Sequence, residues 1–533
     1  MGRGYRSPCL DVRPGATVLA PTARVPDTPP VRRTIPSLFR RTVEATPDAL
    51  WLATDEATFT YGEALQHVER AAAWLRTSGV ARGDRVLVTA ANRWEVLLSW
   101  LALMELGAVQ VPVNPASAES ELTGLCRQVA PRMVVTVPEA RPSVLAASHE
   151  TATPVVEVDV LFGAEPDRRG PVPVDPDDVA VMIPTSGTTG RSKLVMQTHR
   201  AYVMAGEGFP WWMGLGRDDR LMTSLPLFHI NAPAYSTLGS VAAGAGLVLL
   251  PRFSASGFLD AARRFGATEF NAIGAMLEIL MRQPERPDDA DNPLRLGYTG
   301  PSPPKERHLE IERRFGLELV CGYGLSESPY GLIWRRPARP FGALGSARQH
   351  PELGHVNDAR IHDPGPDGVG ELELRNPAVM RGYFEMPEET DAVLVDGWLR
   401  TGDLVTDDGT GTFTFVGRRK EVIRRRGENL SPTEVEAVLG RHPDVAEVAV
   451  VGVPSELSEQ DVKAFVVPAA DAPIDVHTLD ALVREHLAPF KAPRYYELVQ
   501  ELPHTPTGRV AKHELSLDRT ADETDLEREE RRG

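Results

Sequence analysis

Hydrophobic residues recur at helical intervals in some parts of the chain and gather into short runs in others. The segment YGEALQHVERAAAWLRTSGV predicts an amphipathic helix that ends at Gly79. Its apolar face would consist of Leu65, Val68, Ala72 and Leu75. The runs DRVLVTA, MVVTV and GLVLL are rich in β-branched residues and lie between helical stretches, which predicts strands. This alternation is typical of an α/β fold with substantial parallel sheet.

The pattern changes near residue 400. WLRTGDLVTDDGTGTFTFVGRRK predicts two strands joined by a turn rich in Asp and Gly, which is a hairpin. In SPTEVEAVLGRHPDV, Ser431 is a typical N-cap, Pro432 suits the first helical position, and Glu434 would complete a capping box. Apolar runs then alternate with a helix over 476–487. These features predict a small α+β domain that begins at Lys420.

The chain therefore divides into four segments. Residues 1–33 are rich in Pro and Arg and predict a disordered extension. Residues 34–419 would form a large N-terminal domain of layered, mostly parallel sheets and helices, and residues 420–516 the small domain. Residues 517–533 carry a run of charges, which predicts a flexible, solvated tail.

Composition limits the classes of function. The chain is 42% hydrophobic and 25% charged, as expected for a globular protein in water. Its 58 basic and 74 acidic residues give a net charge of −16, which argues against nucleic-acid binding. The most apolar segment, EVLLSWLALMELGAV, is interrupted by Glu105 and is too short to cross a bilayer, so we expect a buried helix.

Cysteine usage points to a reducing compartment. The three cysteines, Cys9, Cys126 and Cys321, are far apart, so neither a disulfide framework nor a C-x-x-C metal site is expected. The first 30 residues lack the sustained apolar core of a secretory signal. We therefore expect a cytoplasmic protein.

The segment TSGTTGRSK, residues 185–193, is the first candidate for chemistry. It follows the apolar run VAVMIP, so its backbone amides and hydroxyls could line a concavity for phosphate oxygens, with Lys193 adding a positive charge. It does not fit the Walker A pattern. A polar surface loop is the alternative.

Three further segments favour a nucleotide site. GYGLSES, residues 322–328, supplies an aromatic ring, a glycine for close approach, a hydroxyl and a carboxylate. RTGDL places Asp403 in a turn where a carboxylate could accept hydrogen bonds from ribose hydroxyls. GRRKEVIRRRGENLSPTEVE, residues 417–436, spans the expected domain junction. Each segment alone is a weak signal.

In this order and spacing, the four segments resemble the adenylate-forming superfamily of acyl-CoA synthetases, luciferases and peptide-synthetase adenylation domains. The resemblance covers residues 34–516. PLFHIN and RRRGENLSPTEVE are most similar to the carnitine/crotonobetaine-type CoA ligases. The resemblance implies ATP and Mg²⁺ as cofactors, a small-molecule acid as substrate, CoA as the acceptor, and a small domain that rotates between two half-reactions.

The resemblance also implies roles for individual residues. The loop that would hold the β- and γ-phosphates of ATP consists of Thr185, Ser186, Gly187, Thr188, Thr189, Gly190 and Lys193. The purine side would be formed by Tyr323, which stacks on adenine, with Gly324 beside it and the segment Gly300, Pro301 and Ser302 opposite.

Other matched positions concern the reacting groups. Ser326 would contact the α-phosphate, and Glu327 would coordinate Mg²⁺. The ribose would be bound by Asp403 and Arg418. The remaining two assignments are a gate between the acid pocket and the nucleotide, His229, and the hinge, Lys420.

The chain departs from the family pattern near its C-terminal end. Where relatives have a catalytic lysine after Thr-x-x-Gly, LPHTPTGRVAKHEL has Arg509, and Lys512 follows three residues later. An arginine keeps the positive charge but is not equivalent to a lysine. Either residue could take the catalytic role, and Lys512 could instead be an ordinary surface lysine.

Three hypotheses for the function remain open. The leading one is an AMP-forming acid–CoA ligase. The second is a natural-product diazotase that adenylates nitrite and diazotises an aromatic amine, and the third is an inactive nucleotide-binding homologue. The sequence leaves open the identity of the acid and the acceptor, and also whether the protein forms a homodimer.

Overall fold

A computed structural model describes most of the chain. The described residues are 32–167, 169–185, 193–300, 302–334, 338–419, 421–425, 428–455, 460–469, 474–487, 491–504, 510–520 and 522–526. The α-helices are α1 Ile35–Ala45, α2 Tyr61–Thr77, α3 Trp94–Glu105, α4 Glu119–Val129, α5 Arg141–His149, α6 His199–Met213, α7 Leu238–Ala243, α8 Phe258–Phe265, α9 Gly274–Met281, α10 Lys305–Phe315, α11 Pro387–Val393, α12 Pro432–Leu439 and α13 Val476–His486.

The strands alternate with these helices over most of the chain. They are β1 Leu50–Ala53, β2 Thr58–Thr60, β3 Arg85–Thr89, β4 Val109–Val113, β5 Met133–Thr136, β6 Val155–Glu157, β7 Val179–Thr185, β8 Lys193–Thr198, β9 Arg220–Thr223, β10 Gly246–Leu249, β11 Glu269–Ile273, β12 Leu296–Gly300, β13 Glu318–Leu325, β14 Ser328–Ile333, β15 Ala343–Ala347, β16 Asp358–His362, β17 Gly370–Arg375, β18 Leu394–Val395, β19 Trp398–Asp407, β20 Phe413–Arg418, β21 Ile423–Arg425, β22 Glu428–Leu430, β23 Val445–Pro454, β24 Gln460–Pro468, β25 Tyr495–Leu498 and β26 Glu523–Asp525.

Two sheets build the large N-terminal part. The first has the order β6-β5-β3-β4-β7-β8 and is parallel except for the last pair. The second begins as a parallel sheet, β1-β10-β9-β11-β12-β13, with β2 antiparallel at its edge. It continues through the antiparallel strands β14-β15-β20-β19-β17-β16. The predicted α/β class is confirmed, and so is the predicted hairpin, which is β19 and β20.

Both faces of the first sheet are covered. Along β3, Val86 and Val88 join the largest apolar core, which also includes residues of the second sheet, whereas Leu87 points into a separate cluster with α4 and α5. The predicted buried helix is α3, whose Glu105 is neutralised by Arg40 at 2.9 Å. No helix within the described ranges combines the length and apolarity that a membrane span requires.

The small domain has its own core. Strands β23-β24-β25-β26 form a four-stranded sheet, and α12 and α13 pack on it. The predicted capping box is wrong, because the Ser431 side chain makes no capping hydrogen bond to α12. The carboxylate of Glu434 instead forms an ion pair with Lys491, an opposite charge that sequence spacing does not reveal.

The charged tail is ordered where it meets this sheet. Strand β26 pairs antiparallel with β25 inside the segment that was expected to be flexible. The ammonium of Lys463 on β24, which is 0% exposed, lies 2.9 Å from Glu523 and 2.8 Å from Glu497. A buried cation requires such partners, so the tail strand is held by charge as well as by backbone pairing.

Candidate active site

Three of the predicted nucleotide-binding residues meet where β13 approaches the β19–β20 hairpin. Asp403 and Arg418 face each other in the register of β19 and β20, with Arg418 Nε 3.1 Å from the carboxylate. The hydroxyl of Tyr323 donates a hydrogen bond to the other carboxylate oxygen at 2.6 Å. Asp403 is only 2% exposed, so these contacts stabilise its buried charge.

The protonation of this cluster follows from its charges. Burial raises the pKa of the Tyr323 hydroxyl well above its ordinary value, and the neighbouring Asp403 carboxylate raises it further. Burial alone would lower the pKa of Arg418, but Asp403 and Glu421 outweigh it and raise that pKa. Tyr323 therefore remains a hydrogen-bond donor, and Arg418 remains a cation beside a carboxylate.

A second group of site residues surrounds Glu327, which follows Tyr323 by four positions in the chain. Glu327 sits in the turn between β13 and β14, and its Oε1 accepts a hydrogen bond from the Tyr383 hydroxyl at 2.9 Å. The ammonium of Lys193 lies over the ring of Tyr383, 4.6 Å from its centroid. One tyrosine thus connects the expected metal ligand to the expected phosphate-binding lysine.

The two ends of the expected phosphate loop come together. Thr185 and Lys193 are register partners at the ends of β7 and β8, and the Thr185 hydroxyl donates to the Lys193 carbonyl at 3.3 Å. The loop residues between them, Ser186, Gly187, Thr188, Thr189 and Gly190, lie outside the described residues, as do Pro301, Lys420 and Arg509.

Close packing explains two of the glycines. A β-carbon at Gly324 would lie 2.6 Å from the Tyr235 hydroxyl, and one at Gly300 would lie 2.6 Å from the Gly322 carbonyl oxygen. Neither position can hold a side chain without a shift of its neighbours. The backbone of Ser326 is held by Gln197, whose side-chain amide donates to the Ser326 carbonyl at 2.5 Å.

The segment expected to face adenine is joined by a hydrogen bond to the loop that precedes β15. The hydroxyl of Ser302 accepts a hydrogen bond from the Gly342 amide at 3.2 Å. Gly300 ends β12, which is the parallel neighbour of β13. Ser302 therefore follows the carboxyl end of a strand adjacent to Tyr323, at the edge of a parallel sheet where ligands usually bind.

His229 lies in the loop after β9, with its ring against Phe228 at a centroid distance of 4.6 Å. Two residues later, the Asn231 side chain accepts a hydrogen bond from Asn271 of β11 at 2.8 Å. Because β9 and β11 are parallel neighbours, the His229 loop lies over their carboxyl ends. This is compatible with the expected gate.

Lys512 is held within the small domain. Its ammonium lies 2.7 Å from Glu436 and 3.7 Å from Glu421, rather than beside the turn that carries Glu327. Burial raises the pKa of Glu436, and the positive charge of Lys512 partly opposes that rise. In this conformation the Lys512 ammonium stabilises a partly buried carboxylate.

Two residues of this site were missed by sequence reasoning, Tyr383 and Gln197. Tyr383 occurs in MRGYFEMPEE, where no pattern of charge or spacing indicates chemistry. Its place in the site follows from backbone pairing with β8, opposite Val195. Only the three-dimensional pairing reveals it.

Comparison with known proteins identifies the family. Residues 39–384 match the family model described as AMP-binding enzyme, and residues 434–509 match the AMP-binding enzyme C-terminal domain. This chain belongs to the AMP-binding enzyme family. The resemblance expected from TSGTTGRSK and the later segments is confirmed, and so is the fold class.

Relatives in this family include CoA ligases. The crotonobetaine/carnitine–CoA ligase of Proteus mirabilis is 31% identical over 489 residues, which cover 86% of this chain and 93% of the relative. o-Succinylbenzoate CoA synthetase (MenE) of Bacillus subtilis, solved with its acyl-adenylate intermediate, has a TM-score of 0.82 at 26% identity, covering 91% of this chain and 99% of that one. The same enzyme with ATP and a magnesium ion has a TM-score of 0.80 at 25% identity, covering 90% and 98%.

Proposed function

We propose that this protein is an ATP- and Mg²⁺-dependent acid–CoA ligase. It activates a carboxylic acid as the acyl-adenylate, releases pyrophosphate, and transfers the acyl group to CoA. The observation that carries the proposal is the arrangement around one turn. Tyr323 joins the Asp403–Arg418 pair on one side, while Glu327 joins Lys193 through Tyr383 on the other. The CoA ligases among the relatives support the choice of acceptor.

The nucleoside end of ATP would lie at Tyr323 and Asp403. A carboxylate has about four lone-pair sites, so Asp403 can accept ribose hydroxyls in addition to its bonds with Tyr323 and Arg418. Arg418 lies beside this carboxylate, and hydrogen bonds to a charged acceptor are stronger than those to a neutral one. Gly324 lets the backbone beside Tyr323 pack against the Tyr235 hydroxyl, which fixes the position of this segment.

The phosphate end would lie at Lys193 and Glu327. Within the described residues, one Glu327 oxygen accepts the Tyr383 hydroxyl and the other accepts no hydrogen bond. One carboxylate oxygen together with phosphate oxygens is a usual set of ligands for Mg²⁺, so the residues fit that ion. When bound, Mg²⁺ would neutralise charge on the phosphate oxygens. Lys193, at the start of β8, would also neutralise charge on the phosphate oxygens.

The chemistry then requires positioning more than acid–base catalysis. A carboxylate oxygen attacks the α-phosphorus, and the bond from that phosphorus to pyrophosphate breaks; in the second step the CoA thiol sulfur attacks the acyl carbon and AMP leaves. Lys193 would stabilise the charge on the leaving pyrophosphate. For the lysine position near the C-terminal end we favour Arg509, because Lys512 already pairs with the partly buried Glu436.

The test is the release of AMP and pyrophosphate from ATP across a panel of aliphatic, aryl and cinnamic-type acids with CoA. Lys193→Ala and Glu327→Ala should each lower the rate with the best acid at least tenfold. Arg360→Ala is the matched control, because its guanidinium also lies over an aromatic ring, Trp398 at 4.0 Å, but on the edge strand β16, which carries none of the proposed site residues. Unchanged rates in both site variants would refute the assignment.

The same plate includes nitrite with aromatic amines. Turnover that requires nitrite and an amine, and ignores CoA, would replace the ligase proposal with the diazotase hypothesis. ATP binding without AMP release for any acid would indicate an inactive homologue.

A further inference from the structure

The segment that carries Tyr383 is fastened on two sides. Along β8, the Met196 amide donates to the Gly382 carbonyl at 3.0 Å, and the Phe384 amide donates to the Leu194 carbonyl at 2.9 Å. On its other side, the Met380 amide donates to the Glu327 carbonyl at 2.8 Å. The segment therefore bridges the strand of Lys193 and the turn of Glu327.

The side chain of Tyr383 spans the same gap. It is 7% exposed, its hydroxyl donates to Glu327, and its ring faces the ammonium of Lys193. Its own amide donates to the Thr390 hydroxyl oxygen at 2.9 Å, and that hydroxyl donates to the Met386 carbonyl at 2.8 Å.

We propose that Tyr383 is the positioning residue of the polyphosphate site. It binds one oxygen of Glu327 and leaves the other available to Mg²⁺, and its ring holds the Lys193 ammonium, which would bind the phosphates. This inference rests on the proposed function, because it assumes that Glu327 binds Mg²⁺ and that Lys193 binds phosphate. It adds a residue and a role that neither the motifs nor the spacing indicated.

The physical basis is that partners of metal ligands tune the metal. Loss of a hydrogen bond to a metal-binding side chain typically lowers metal affinity by about 10–100-fold. A cation over an aromatic ring is a separate attraction that does not require the hydroxyl. Two substitutions can therefore separate the two contacts of Tyr383.

Tyr383→Phe keeps the ring beneath Lys193 but removes the hydrogen bond to Glu327. It should raise the Mg²⁺ concentration needed for half-maximal ATP binding about tenfold, while ATP affinity in EDTA is unchanged. Tyr383→Leu removes both contacts and should also weaken ATP binding in EDTA. Both are measured by calorimetric titration of ATP at a series of Mg²⁺ concentrations, without turnover.

Tyr61→Phe is the matched control. Its hydroxyl is also buried and donates to the carbonyls of Ser240 and Ala245 at 3.1 and 2.8 Å, far along the chain from the phosphate strands. It should lower thermal stability without changing the Mg²⁺ dependence. If Tyr383→Phe behaves in the same way, the proposal is wrong. Thr390→Val removes the hydrogen bonds of the Thr390 hydroxyl with the Tyr383 amide and the Met386 carbonyl but leaves the Tyr383 side chain intact, so it should shift the Mg²⁺ dependence in the same direction but less.

Glu327→Ala separates this proposal from the proposed function. If Glu327→Ala shifts the Mg²⁺ dependence and Tyr383→Phe does not, only the role of Tyr383 fails. If Glu327→Ala leaves the dependence unchanged, the metal assignment itself fails.

Discussion

Glu269 should make the stability of the large domain fall as pH rises. This residue begins β11 and is 0% exposed, and neither of its carboxyl oxygens has a hydrogen-bond partner among the described residues. Its register partners on the neighbouring strands are Leu221 and Leu296. Burial raises the pKa of Glu269 well above 4.5; the charge of Asp219 raises it further, and that of Arg295 partly opposes the rise.

The sign and size follow from linkage. Above the unfolded pKa, the unfolded chain has released the Glu269 proton while the folded protein still holds it. Stability is therefore highest below the unfolded pKa and falls by about 1.4 kcal/mol per pH unit until the folded pKa is reached. Between pH 5.5 and pH 7.5, both above the ordinary carboxyl pKa, this group therefore lowers stability by up to about 1.4 kcal/mol per pH unit.

Glu269→Gln keeps the size of the side chain and replaces the titrating carboxyl group with an amide that does not titrate. Relative to the wild type, the variant should gain unfolding free energy as the pH rises from 5.5 to 7.5, by up to about 1.4 kcal/mol per pH unit. Urea unfolding followed by tryptophan fluorescence measures this in the correct domain, since all 8 tryptophans lie between residues 51 and 398. Each curve is fitted for midpoint and slope at both pH values.

Thr299→Val is the control for this experiment. The Thr299 hydroxyl on β12 is also buried without a partner among the described residues, but it does not titrate in this range. Its substitution should change stability equally at both pH values. If the Glu269→Gln and wild-type stabilities instead run parallel with pH, Glu269 is ionised in the folded state and the reasoning is refuted.

The remaining predictions concern other charges. Asp403→Asn should raise the KM for ATP about tenfold or more, since charge-assisted hydrogen bonds contribute about 1.5–3 kcal/mol each; an unchanged KM in a pyrophosphate-release assay would contradict its ribose role. Lys463→Met removes the buried cation between Glu497 and Glu523, leaves Arg519 as the partner of Glu523, and should speed amide exchange across β24–β26. Lys512→Met should lower the free energy of unfolding of the small domain by more than it raises the activation free energy of adenylation. The reverse result would assign Lys512 the catalytic role instead of Arg509.

Local patterns predicted those elements whose formation depends on near neighbours. The recurrence of Leu65, Val68, Ala72 and Leu75 at intervals of three or four residues identifies α2, because the placement of apolar residues on one helix face depends only on the segment itself. The Asp- and Gly-rich turn identifies the β19–β20 hairpin for the same reason. Sheet order and the long antiparallel extension after β13 depend on pairings between distant strands, which no local pattern contains.

The failures have the same origin. The capping box at Ser431 has the right spacing, but Glu434 is drawn to Lys491, which lies 57 positions later. The run of C-terminal charges predicts a solvated tail, but Glu523 in that run pairs with the buried Lys463. In both cases a charge from a distant segment overrides the local preference.

The candidate site combines both situations in one turn. Tyr323 and Glu327 are four residues apart, and both belong to the single segment GYGLSES, so the sequence alone predicts that they lie close together. The residues that orient them come from far along the chain: Asp403 bonds to Tyr323 across 80 positions, and Tyr383 bonds to Glu327 across 56. A displacement of this turn would therefore disturb the nucleoside and phosphate contacts together. Since Tyr383 and Asp403 hold its two ends independently, substituting either should impair one end of ATP recognition while leaving the other in place.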